Sequence, residues 1–140
     1  MKLALFLLVL IPVAVPVRSQ TSTPSLKSLR KIYVGPMGQS DEAERFRILL
    51  GNELTKVGFE VVDNESKADA TLSGVLTVRV YSKESIAQAT MNLTTSGGVH
   101  LWGKDFEPRV IEPRLHPQDD TVKLRAEEVA KDLRKDWKKK

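Results

Sequence analysis

From Ala70 to Tyr81 the chain alternates between apolar and polar side chains, and no other stretch restricts the fold so tightly. Leu72, Gly74, Leu76, Val78 and Val80 fall on one side of an extended chain. Thr71, Ser73, Val75, Thr77, Arg79 and Tyr81 fall on the other. A period of two over this length predicts a strand with one face on a core and the other toward water. Such one-sidedness is the mark of an antiparallel sheet covered by helices on a single face.

The flanking segments extend this reading. Ile86 to Thr95 alternates again, with Ala87, Ala89, Met91 and Leu93 on one side. Ser96-Gly97-Gly98 predicts a hairpin turn, because glycine supplies the positive φ that tight turns need. Val99 to Phe106 then returns as a strand, and Glu107 to Pro117, with its three prolines, is expected to be a loop. Upstream, Lys31 to Val34 and Phe59 to Val62 are short β-rich runs.

Two segments carry the helical period instead. Phe46, Leu49, Leu50, Leu54 and Val57 form one stripe over 41–57, with Asp41 and Glu44 as a capping pair and Gly58 as the left-handed stop. Val122, Ala126, Val129, Ala130, Leu133 and Trp137 form a second stripe. Asp119 and Asp120 stand at its positive end, and Arg134, Lys135 and Lys138 to Lys140 at its negative end, as the helix dipole favours. The predicted order is β-α-β-β-β-β-α. This is an α+β fold, with two helices on one face of a mainly antiparallel four- to five-stranded sheet.

The amino-terminal segment reads differently. Lys2 precedes an uncharged, almost wholly apolar run from Leu3 to Val17, and Arg18 ends it. Fifteen residues at about 1.5 Å each fall short of a bilayer core of roughly 30 Å. The run has the length of a signal-peptide core. The expected organisation is a signal peptide over 1–19, a flexible leader over 20–30, a single domain over 31–137 and a basic tail over 138–140. Lys131 to Lys140 contains six basic and two acidic residues, which is as much excess positive charge as the whole chain carries (+4). The basic character therefore belongs to the chain's end, which argues against nucleic acid as a partner.

Three local signatures accompany this order: KVGFEVVD at the first helix end (Lys56 to Asp63), ADATLSG at a strand start (Ala68 to Gly74), and GGVHLWGKDF (Gly97 to Phe106). Together they resemble small exported bacterial envelope proteins with an anticodon-binding-domain-like fold. These are similar to the core of the curli-secretion lipoprotein and to the amino-terminal domain of the Tol-system propeller protein. The resemblance implies a fold over residues 31–137 and no shared catalytic residues. The chain lacks the lipidated cysteine and long membrane-spanning hairpins of the secretion lipoprotein, so the resemblance does not extend to pore formation.

The chemistry points the same way. Without cysteine there is no disulfide framework, thiolate zinc site or cysteine nucleophile. With His100 and His116 alone, three-histidine zinc ligation within one chain is excluded. Gly35-Pro36-Met37-Gly38 lacks the spacing and lysine of a phosphate-binding loop, and no serine stands in a nucleophile-elbow pattern. No residue set reads as catalytic, cofactor-binding or metal-binding.

The expected function is an exported, non-catalytic binding or assembly domain of the bacterial periplasm or envelope. Its partner is another envelope protein or a cell-wall or anionic surface. Thr77, Arg79, Tyr81, His100 and Trp102 form the candidate partner surface on the open sheet face. Lys135, Lys138, Lys139 and Lys140 are the candidate contacts to an anionic surface. The alternative is a small secreted hydrolase or metal-assisted enzyme using His100 or His116 with Asp119 or Asp120.

Overall fold

A computed structural model describes residues 23–81, 85–111 and 120–139. The elements are β1 (Lys31–Val34), α1 (Asp41–Lys56), β2 (Glu60–Val62), β3 (Ala70–Val80), β4 (Ser85–Thr95), β5 (His100–Ile111) and α2 (Thr121–Lys139). The strands form one sheet in the order β2-β1-β3-β4-β5. The expected α+β architecture is present, with the sheet mixed: β1 pairs in parallel with both β2 and β3, whereas β3-β4 and β4-β5 are antiparallel.

Both helices pack on the face that the alternation selected. Leu72 and Leu76 on β3, Ala89, Met91 and Leu93 on β4, and Phe106 on β5 are buried in one cluster with Phe46, Leu50 and Leu54 of α1 and Val122, Ala126, Val129 and Leu133 of α2. Fully burying side chains of this size contributes roughly 1.5–3 kcal/mol each, offset by the entropy of ordering them. At Gly74 the strands approach so closely that a Cβ would stand 2.1 Å from the Thr90 carbonyl oxygen. This accounts for a glycine on the apolar side of β3.

Helix α1 ends as its sequence directs. Gly58 has φ +99°, Phe59 N–H bonds Leu54 O at 3.0 Å, and Gly58 N–H bonds Thr55 O at 3.1 Å. These are the paired bonds of a Schellman stop. Its start differs from expectation. Ser40 caps the helix, its Oγ accepting the Ala43 N–H at 3.1 Å, while Glu44 pairs with Arg47. At α2 the Asp120 carboxylate caps the first turn through the amides of Val122 and Lys123.

Three boundaries are corrected. The leader expected to be flexible contains a 3-10 turn at Leu26–Ser28, and Leu26 and Leu29 are buried in the core. Burial of these two leucines against the α2 end extends the domain upstream of residue 31. Strand β5 continues to Ile111, into the region expected to be a loop; an edge strand tolerates Pro108 because one side of it has no ladder to complete. Lys138 and Lys139, placed in a tail, complete the last turn of α2. The signal-peptide reading of 1–19, residues 112–119 of the expected loop, and Lys140 lie outside the described residues.

One buried cation joins the layers. Arg125, 2% exposed, donates from its guanidinium to the backbone oxygens of Ala87 and Glu107 and to the Glu128 carboxylate, and lies over the Phe106 ring. The β4-β5 register slips between Ala87 and Ala89, and Arg125 supplies donors where that slip disturbs the ladder.

Candidate functional site

No described helix covers the second face of the sheet, and cross-strand register arranges it in rows. Thr71 lies opposite Thr94, Ser73 opposite Asn92, Val75 opposite Thr90, Thr77 opposite Gln88, and Arg79 opposite Ile86. The face is rich in hydroxyl and amide groups, with Val75 and Tyr81 as exposed apolar islands. Thr77, Arg79, Ile86, Gln88 and Pro108 enclose a depression of ≈ 120 Å³ in it.

Of the residues expected on this surface, Thr77, Arg79, Tyr81 and His100 are exposed. Trp102 is not. It is 7% exposed, sits in the core beneath the helices, and donates its indole N–H to Asp136 on α2. The reason is a bulge: Leu93 pairs with Trp102 while Thr94 pairs with His100, which leaves Leu101 as the extra residue. An extra residue reverses the alternation, so two side chains two positions apart end on opposite faces. The His100 imidazole lies over Gly103 on the open side; a Cβ there would meet its ring at 2.8 Å.

The alternative enzymatic grouping is not assembled among the described residues. His100 opens β5 near the end of α2 that holds Asp136, whereas Asp120 caps the opposite end of that helix and pairs with Arg45. Those helix ends lie sixteen residues apart, roughly 24 Å. His116 and Asp119 lie outside the described residues. No group of three His, Asp or Glu suited to a metal ion occurs among the described residues.

Of the candidate lysines, Lys135, Lys138 and Lys139 form part of one basic pole. Lys135 and Lys138 are exposed, and Lys139 reaches Asp136 at 3.7 Å. Trp137 beside them donates to Leu29 O at 3.2 Å and carries the guanidinium groups of Arg134 and Arg30 over its ring at 4.2 and 5.1 Å. These contacts bring residue 30 to the end of α2, which no local pattern in the sequence reveals.

A second concave feature was not anticipated. At the carboxyl ends of β1 and β2, beside α1, an open groove of ≈ 590 Å³ is lined by Tyr33, Val34, Arg47, Ile48, Gly51, Asn52, Thr55 and Val61 to Asp63. Ile48 is 55% exposed there, off the buried stripe of its helix. An apolar residue off-stripe, followed three positions later by a mid-helix glycine, is the sequence signal that marks it. Arg47 is bound by both Glu44 carboxylate oxygens at 2.7 and 2.9 Å, an arrangement that holds the Glu44 carboxyl below its ordinary pKa and the Arg47 guanidinium above its own. Strand β2 forms one edge of the sheet. Glu60 N–H bonds Arg30 O, so the parallel ladder turns the Val61 N–H and C=O outward to that edge.

No protein-family model and no curated protein matches the sequence. Solved structures do match in fold. PelC from Paraburkholderia phytofirmans, solved as a dodecamer, superposes with a TM-score of 0.58 at 18% identity, over 81% of this chain and 92% of that one. A single-residue variant of PelC, also a dodecamer, gives 0.57 at 17% identity over 81% and 93%. An uncharacterised protein gives 0.50 at 16% over 83% and 94%. At these identities the likeness is one of fold.

Proposed function

We propose that this chain is a non-catalytic binding or assembly domain exported to the bacterial envelope. The observation that carries the reading is the uncovered sheet face, on which Thr77, Arg79, Tyr81 and His100 stand exposed beside a shallow depression rather than a deep pocket. A flat, polar face with one unpaired-edge strand on each side suits contact with another macromolecule. No helix among the described residues is long and apolar enough to cross a membrane. The single positive charge of Lys2 before the apolar segment 3–17 supports export, and the dodecameric state of PelC supports self-assembly as one use of this fold. The exposed lysines of α2 are a secondary contact to anionic surfaces.

The test is copurification from a detergent-solubilised envelope fraction, comparing wild type with Arg79→Glu and Thr77→Lys. The expected result is a stoichiometric partner that either substitution removes, with unchanged thermal stability. Capture that both variants retain, or recovery of the wild-type protein alone, would overturn the open face as the binding surface.

A further inference from the structure

We propose that copies of this chain associate head to tail, the carboxyl end of β3 of one copy seating in the α1-β2 groove of the next. This rests on the assembly reading above and assigns it an interface. Burial decays along the helix-facing side of β3, from Leu72 and Leu76 in the core, through half-buried Val78, to Val80 at 76% exposure. Tyr81, the next residue, is 53% exposed. Side chains of neighbouring residues point to opposite faces of a strand, so the end of β3 offers an apolar side chain on each side. Single exposed apolar residues are ordinary; here two adjacent ones close a strand that runs past the described helices, which is the surface that seats in the groove.

The groove has the complementary form. Ile48 stands on one wall, Val61 on the other, and Gly51 between them adds no side chain to the floor. The outward N–H and C=O of Val61 can accept an added strand. Charge agrees with shape. Arg79 at the end of β3 makes no ion pair among the described residues, and Asp63 at the groove mouth is exposed, touching Lys67 at 3.3 Å. Arg47, the groove's own cation, is already occupied by Glu44.

The two surfaces are far apart on one molecule. Val80 lies eight residues beyond Leu72, the register partner of Val34 at the groove, or roughly 26 Å at about 3.3 Å per residue. A contact between two different patches is heterologous and propagates into a ring or filament rather than stopping at a pair.

The absence of cysteine allows a direct test on the full chain. Ile48→Cys and Val80→Cys are made singly and together, and mild oxidation follows. A disulfide needs Cα atoms within about 7 Å, so the double variant cannot close on itself. The expected result is a disulfide dimer when the two single variants are mixed, and a ladder of dimers, trimers and larger species from the double variant. Dimers formed equally by either single variant alone, or monomers throughout, would overturn the interface. As a second check, Val80→Asp should weaken self-association measured by light scattering at least tenfold while leaving the unfolding midpoint unchanged; unaltered association would also overturn it. A ladder without any open-face partner would sustain the head-to-tail contact and count only against the open-face reading. A captured partner without a ladder would do the reverse.

Discussion

The indole N–H of Trp102 donates to the Asp136 carboxylate at 3.0 Å, joining β5 to the last turns of α2. That bond holds the Asp136 carboxyl below its ordinary 3.8, helped by Lys139 and Lys104 and opposed by partial desolvation. A carboxyl that binds its proton less readily when folded stabilises the fold fully above its unfolded pKa. That contribution is lost as pH falls through the folded value. Stability should therefore decline between about pH 5 and pH 2. Trp102→Phe should make the decline shallower, besides lowering stability at neutral pH. Thermal unfolding across that range checks this, and parallel acid profiles for the two proteins would count against the bond.

Arg125 should be the most sensitive polar position. Removing it strips donors from two backbone oxygens and leaves a cavity between α2 and the β4-β5 slip. Arg125→Ala is expected to destabilise by about 2–4 kcal/mol in urea unfolding, the cost of leaving the Ala87 and Glu107 oxygens without these donors. Glu128→Gln, at an exposed partner, should change stability by less than about 1 kcal/mol.

Gly58→Val should cost about 1–3 kcal/mol, because a β-branched residue does not tolerate φ +99°. Space is not the obstacle: the nearest atom to a Cβ there is the Arg134 guanidinium nitrogen at 3.7 Å. Gly58→Asn, which enters the left-handed region more readily, should cost less than Gly58→Val in the same denaturation assay. Equal losses would mean that side-chain bulk, rather than backbone conformation, decides this position.

The end of α2 separates stability from surface charge. Trp137→Ala should cost up to about 3 kcal/mol, since a half-buried indole that packs edge-on against Phe59 is lost. Lys135→Gln combined with Lys138→Gln should leave the unfolding midpoint within a degree or so, these being exposed side chains. If the basic pole contacts anionic surfaces, that double variant should bind phosphatidylglycerol vesicles more weakly than wild type, and wild-type binding should weaken as salt rises. Salt-independent binding would exclude the electrostatic contact.

The local periods were sufficient for the elements themselves. Alternation over 70–81 and 86–95 produced β3 and β4, and the stripes through Phe46 and Val129 produced α1 and α2. Both report which side of an element is apolar, and burial of that side is the main driving force of folding. Gly58 was legible because a helix stop is a local backbone event. What no local pattern carried was the pairing of β1. Whether a four-residue strand lies parallel or antiparallel depends on where the chain is led by α1 and by the turn before β3. There, Asp69 Oδ2 accepts the amides of Arg30 and Lys31 at 2.8 Å.

The candidate surface divided along the same line. Thr77, Arg79 and Tyr81 lie on an unbroken alternation, so the sequence placed them on the open face by itself. Trp102 was assigned there by the same rule applied across a bulge, and one extra residue at Leu101 turned it into the core. A bulge is stabilised by what lies across the sheet and by the helix that covers it, here through Asp136, thirty-four residues away in sequence. The groove between α1 and β2, and the meeting of Arg30 with Trp137, are likewise products of packing between segments distant in sequence. Amphipathic period is a property of neighbours along the chain and is fixed by the sequence alone. Concavity, register and the reach of one guanidinium over a distant ring exist only once separate elements have been brought together to bury their apolar sides.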